Sequence, residues 1–214
     1  MKILTVMLLV DVSGSGNFGT RGSYKREHIT EIAALLAFSA IQNNDKIGVI
    51  LFSDKVEKFI SPQKGRTHIL RIIRELLDFH PASNSTCLNE PLRYLTNAIK
   101  KRCTAFIISD FVASDFDKSL QIASNKHDVV GLKIYDTFEN NMPDLGLIYM
   151  KDAETGKNTW VDTSLSSVRQ QFNDWWNMKQ ASVDELFSRT GVDFVSISTD
   201  EDYVKPLLNL FKRR

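Results

Sequence analysis

Ile-Leu-Thr-Val-Met-Leu-Leu-Val-Asp-Val-Ser-Gly-Ser, residues 3–15, decides the fold. Residues 3–12 form a near-continuous apolar run, the pattern of a strand covered on both faces. An aspartate and two serines follow at once, where such a strand would leave the core.

Strand-like and helix-like segments alternate from there on. Ile29, Ile32, Ala33, Leu36, Ala40 and Ile41 recur at helical spacing over 24–42, and Asn43-Asn44-Asp45 ends that helix. KIGVILF (46–52) reads as a strand, with a short strand at 56–60 beside it. Helices are expected at 66–79 and 88–101, a strand at 104–111, and a helix from the Ser114–Asp117 cap to about Asn125. DVVGLKIY (128–135) and VDFVSIST (192–199) are further strands. Residues 145–150 and 158–162 suggest a hairpin that pads a sheet edge. Long and short helices are expected at 164–189 and 201–212, with Phe172, Trp175 and Trp176 buried against the sheet. This order predicts an α/β, Rossmann-like three-layer domain over 1–214: a six-stranded, mostly parallel sheet with helices on both faces.

The bulk properties exclude several function classes. Basic residues number 27 and acidic residues 26, so no concentrated positive charge argues for nucleic acid. The two cysteines, Cys87 and Cys103, match no zinc spacing and fit a reducing compartment. The apolar start is short, ends on Asp11 and lacks a cleavage pattern, and no stretch approaches the ~20 apolar residues of a membrane span. A cytoplasmic protein is the expectation.

In a doubly wound sheet, ligands bind beyond the carboxyl ends of the strands. Three segments converge there: Asp11-Val-Ser13-Gly-Ser15, the loop Ser83-Asn-Ser-Thr86, and Ser109-Asp110. Two carboxylates and three hydroxyls, with no histidine or thiolate among them, suit a hard cation such as Mg²⁺. Ser13, Ser15 and Thr86 are the candidate direct ligands; Asp11 and Asp110 would bind directly or through water. Two carboxylates neutralise the ion and leave it open to one more anionic oxygen. Singly, Asp11 or Asp110 would be a turn former, and Thr86 the N-cap of the helix near Leu88.

Competing motifs are weaker. Gly14-x-Gly16-x-x-Gly19 matches the dinucleotide fingerprint, yet loop residues continue to Ser23 and no acid follows a second strand. No Gly-x-Ser-x-Gly elbow and no P-loop occur. His28, His68, His80 and His127 stand apart from the acid–hydroxyl motif.

Asp11-x-Ser13-x-Ser15, Thr86 and Ser109-Asp110 together resemble the metal-ion-dependent adhesion site of von Willebrand factor A domains. Gly48–Asp54, Phe106–Phe111, Asp128-Val-Val-Gly-Leu and Asp152-Ala-Glu-Thr-Gly156 resemble its bacterial branch, the domain of unknown function 58 family. The resemblance implies an Mg²⁺ site, with Mn²⁺ or Ca²⁺ as substitutes, formed by those five residues. It implies docking to a partner's Asp or Glu carboxylate, alongside a MoxR-type AAA+ ATPase, and no catalysis. Members of that branch carry a segment before the first strand, so the chain is expected to be a piece of a longer one. Ser85 stands where the pattern often has glycine. The rival expectations are a Mg²⁺-dependent phosphohydrolase and a dinucleotide-binding Rossmann domain; against the first, no nearby lysine, histidine or spare carboxylate is expected beside the aspartates in an arrangement for acid–base work.

Overall fold

The computed structural model describes residues 3–17, 24–113, 115–152 and 157–214. The apolar run becomes β1 (Thr5–Asp11), which lies between β2 (Lys46–Phe52) and β4 (Thr104–Ser109), parallel to both. Its alternation explains why it is apolar throughout. Leu8 and Val10 face a core with Ile29, Ile32 and Leu36 of α1 (Lys25–Gln42) and Ile69 and Ile72 of α2 (Arg66–Asp78). Met7 and Leu9 face the opposite core, with Leu92 and Leu95 of α3 (Asn89–Ala98), Leu120 of α4 (Asp117–Lys126) and Phe187 of α6 (Ser166–Thr190). All four β1 side chains are at most 1% exposed, so each contributes about 1.5–3 kcal/mol of apolar burial.

With β3 (Val56–Gln63), β5 (Asp128–Tyr135) and β8 (Asp193–Ser198), the sheet order is β3-β2-β1-β4-β5-β8. Only β3 is antiparallel within it. This is the Rossmann-like, three-layer architecture expected from the sequence. The chain moves outward in opposite directions from β1 and β4, so a crevice opens between their carboxyl ends.

β3 runs past the expected 56–60 and includes Pro62, which an edge strand tolerates because one row of its N–H groups needs no ladder partner. Two registry shifts accompany it. Gly48 sits at that crossing, where an added Cβ would meet Ile60 O at 2.7 Å and Met7 Sδ at 2.9 Å.

Four expectations change. The hairpin β6 (Leu147–Lys151) and β7 (Asn158–Asp162) pads no edge of the main sheet; it forms its own two-stranded sheet. It is anchored near the start of α6 (Ser166–Thr190) by Leu145 N donating to Thr163 Oγ1 at 2.9 Å and by Arg169–Asp144 at 3.5 Å. Of the two tryptophans on α6, Trp176 is 4% exposed but Trp175 is 41% exposed, because adjacent helical side chains diverge by about 100°. α4 starts at Asp117 with Phe116 at its N-cap and no side-chain cap; Ser114 lies outside the described residues. Finally, a one-turn helix α5 (Thr137–Asn140) follows β5, closed by Asp136 and Glu139 as a capping box. α7 (Val204–Arg213) completes the chain. Among the described residues no helix is long and apolar enough to cross a membrane.

Candidate metal centre

Asp11 ends β1 level with Phe52 of β2, and Val10 pairs with Ile108 one residue before Ser109. This register sets Ser109 beside Asp11, whose Oδ2 accepts from Ser109 Oγ at 2.6 Å. Asp11 Oδ1 accepts from Ser13 N at 2.9 Å. After Asp11 the chain tightens into a 3₁₀ turn, Gly14–Asn17. Gly14 N donates to Asn84 O at 2.8 Å, and Cys87 N to Ser53 O at 2.9 Å. The first bond holds the 83–87 loop against the turn and the second ties it to the end of β2. Thr86 Oγ1 therefore reaches Ser13 Oγ at 2.8 Å, and Ser13 Oγ lies 3.1 Å from Ser15 Oγ. Thr86 does not cap α3, whose N-cap position is Leu88.

Asp110 follows β4. Its Oδ1 accepts from Val112 N at 3.1 Å, and Ser15 also hydrogen-bonds it. Phe111 takes φ 58°, a left-handed conformation that costs a non-glycine residue of order 1 kcal/mol or more. Phe111 N donating to Ser109 Oγ at 3.1 Å, and ring contacts to Phe187 and Phe194 at 5.1 and 5.7 Å, oppose that cost. All five residues singled out in the sequence, Asp11, Ser13, Ser15, Thr86 and Asp110, thus gather at one point of the sheet edge.

The structure adds two that sequence reading missed, Lys25 and Glu139, and gives a role to Ser109, which the motif includes only as the neighbour of Asp110. Ser109 orients Asp11. Lys25, 1% exposed at the start of α1, donates to Asp110 Oδ2 at 2.8 Å and to Glu139 Oε1 at 2.6 Å. Glu139 Oε2 in turn accepts from Asp136 N at 3.1 Å. A lysine and a further carboxylate thus stand beside Asp110, where sequence reading expects none arranged for acid–base work. A signal for each was present: Lys25 is in phase with Ile29, Ile32 and Leu36 on the buried stripe, and Asp136-x-x-Glu139 has capping-box spacing.

The charges divide unequally. Burial, then the charge of Asp110, pushes the Asp11 carboxyl up to about 6 against the hydrogen bonds of Ser109 and Ser13. Burial works the same way on Asp110, but the Lys25 ammonium and the bonds from Lys25, Val112 and Ser15 outweigh it and hold Asp110 below its usual value. Burial would lower Lys25; the two carboxylates beside it win and raise it. A buried aspartate held near neutrality beside a second carboxylate lacks positive charge on its own side of the cluster.

That arrangement fits a hard divalent cation. Every donor at the cluster is oxygen, and Mg²⁺ takes few carboxylates and keeps its remaining positions for neutral oxygens. Among the described residues no three His, Cys, Asp or Glu side chains cluster as a metal site, so a softer site of nitrogen and sulfur is not built there. The histidines are engaged elsewhere: His68 Nε2 lies 2.9 Å from Ile47 O, and His127 Nδ1 lies 3.3 Å from Cys103 Sγ. Burial, then the Asp128 charge, pushes the Cys103 thiol up to about 12, so it is an inert core thiol. The third glycine of the Gly14-x-Gly16-x-x-Gly19 pattern lies outside the described residues, and α1 begins only at Lys25. A dinucleotide fingerprint would open its helix within the glycines.

The cluster opens into a cleft of about 420 Å³, bounded on the far side by Trp175, Trp176 and Lys179 of α6. A separate cavity of about 590 Å³ lies between β8 and α7, away from the acid–hydroxyl cluster.

A family model described as "Protein of unknown function DUF58" matches residues 2–182. An uncharacterized protein of Mycobacterium bovis, Mb1516, is 24% identical over 216 residues, covering 99% of this chain and 67% of its own length. Among solved structures, a conserved hypothetical protein BatB from Bacteroides thetaiotaomicron superposes with a TM-score of 0.65 at 13% identity, covering 98% of each chain. An aerotolerance-related membrane protein from Bacteroides fragilis gives 0.64 at 13% identity, covering 99% of this chain and 100% of its own. These two show the shared fold.

Proposed function

The chain belongs to the DUF58 family, a family whose description assigns no activity, and from the chemistry of its sheet edge we propose that it is a metal-dependent protein-interaction module. The observation that carries this reading is the all-oxygen cluster, whose buried Asp11 is pushed up to about 6 and which faces an open cleft. Ser13, Ser15 and Thr86 would hold Mg²⁺ directly, and Asp11 and Asp110 directly or through water. Bound there, the ion would supply a Lewis-acidic position for one further anionic oxygen. An Asp or Glu carboxylate of a partner fills that position, and the family resemblance points to an assembly with a MoxR-type AAA+ ATPase in the cytoplasm.

The module has no enzymatic activity in this reading. Lys25 and Glu139 are the groups a phosphohydrolase would need near its aspartates. Lys25, however, is 1% exposed and engaged with two carboxylates. It balances charge behind the cluster and does not face the cleft.

The test has two arms. Millimolar Mg²⁺ or Mn²⁺ raises the melting temperature of the wild type and leaves Asp11→Ala and Asp110→Ala unmoved; no wild-type shift would refute the metal site. Pull-down of the ATPase with wild type succeeds in Mg²⁺ and fails in chelator or with Ser13→Ala. Metal-dependent turnover of generic phosphate esters, lost in Asp11→Ala, would replace the binding reading with the hydrolase one.

A further inference from the structure

The rim of α6 carries information about the partner that the oxygen cluster does not. Trp175 and Lys179 are one helical turn apart, so they share a face, and both line the cleft that Ser15, Thr86 and Asp110 open into. Trp175 is 41% exposed although its ring is braced by Phe172 at 6.2 Å and Trp176 at 5.9 Å. A large aromatic surface is thus held rigid in contact with water, a cost that a bound partner would remove. Lys179 is half-buried and forms no ion pair among the described residues.

Charge then restricts the occupant. The cleft lining holds three carboxylates, Asp110, Glu139 and Asp152, against the single ammonium of Lys179. Lys25 is committed behind the wall to Asp110 and Glu139. Without a divalent ion the cleft repels an acidic group. With one, positive charge sits at the oxygen cluster, and Lys179 extends it along α6.

We propose that this cleft binds an acidic peptide segment of a partner protein, one whose metal-seeking carboxylate is flanked by an aromatic or large apolar side chain and a second acid. The apolar side chain lies on Trp175, and the second acid pairs with Lys179. This rests on the metal-bridging function proposed above, which needs only the first carboxylate. The α6 rim adds selectivity: a neighbouring basic residue in the segment meets Lys179 unfavourably, whereas an acidic one is attracted.

The experiment uses an array of N-acetylated hexapeptides with a fixed central Asp, or Asn as control, and flanks varied among aromatic, aliphatic, acidic and basic residues. Wild-type protein in Mg²⁺ is expected to bind Asp peptides with an aromatic and an acidic flank, and none in chelator. Trp175→Ala flattens the aromatic preference and weakens the best peptide about tenfold. Lys179→Glu shifts the preferred flank from acidic to basic. Both variants keep the wild-type thermal shift with Mg²⁺, which shows them folded with the ion site intact. Wild-type binding without flank preference, variants indistinguishable from wild type, or no binding to any array peptide overturns the proposal while leaving the metal site standing. A wild type that shows no Mg²⁺ shift overturns the metal-bridging reading instead.

Discussion

Lys25→Met removes the ammonium that Asp110 and Glu139 share and keeps most of the side chain's length. Two carboxylates, at 2.8 and 2.6 Å from the lost Nζ, are then left facing each other in a site where Lys25 itself is 1% exposed. Breaking a buried ion pair by removing one partner costs about 3–5 kcal/mol. For a domain of 214 residues, each kcal/mol lowers the melting temperature by roughly 2–4 °C, so the variant in chelator melts roughly 6–20 °C below wild type. The loss follows pH in a defined direction. Asp110 is held below its usual value in the wild type, so it contributes stability above the unfolded value of 3.8 that disappears as pH falls through its folded value. In the variant that contribution is gone, so the gap to wild type persists from pH 7 to 4 and narrows as pH falls below 3.8. Mg²⁺ restores positive charge to Asp110, so the metal-induced shift is larger in Lys25→Met than in wild type. Adding Glu139→Gln removes one of the stranded charges and recovers part of the loss. Thermal melts with and without chelator between pH 2 and 8 check all of this. A loss below 1 kcal/mol, or equal metal-induced shifts in the two proteins, would show that Lys25 does not balance the cluster.

Three other perturbations bear on the same structure. Asp11 sits at about 6 where 3.8 is usual, so its share of stability is complete below 3.8 and lost as pH rises through about 6; Asp11→Asn in chelator should therefore gain up to about 3 kcal/mol at pH 7 while losing its Mg²⁺ response, and urea melts at pH 4 and 7 would expose a wrong sign. Gly48→Ala drives a Cβ to within 2.7 Å of the Ile60 carbonyl, and since backbone cannot swing aside, a loss of about 1–3 kcal/mol follows; a neutral substitution would mean the edge strand yields freely. Cys87 is partly exposed, and the buried Cys103 thiol is raised to about 12, so a thiol reagent at pH 8 titrates one group in native protein and two in denaturant.

The sheet was legible because a strand covered on both faces has to be apolar at every position, as β1 is. The positions of Asp11, Ser13 and Ser15 followed from where that run stops. Asp110 was legible for the same reason at the end of β4. Lys25 was not, because its meaning lies in partners 85 and 114 residues away; nothing local marks a lysine on an apolar stripe as paired. α5 escaped notice because four residues carry no period. The hairpin was visible as alternation, yet the sheet it joins depends on edges that alternation does not encode. The apolar stripe on α6 suggests that Trp175 and Trp176 are both buried, although consecutive positions on a helix cannot both face the sheet.

The cluster is assembled from residues 11–15, 25, 86, 109–110 and 139, five separate stretches of chain. During synthesis the first serines emerge long before the carboxylates that give Lys25 its counter-charges. An ion therefore has no cluster to enter until β1, β4 and α5 have met. Metal uptake would report that folding is complete and could not initiate it, in contrast to small zinc domains in which the ion organises an otherwise unfolded chain.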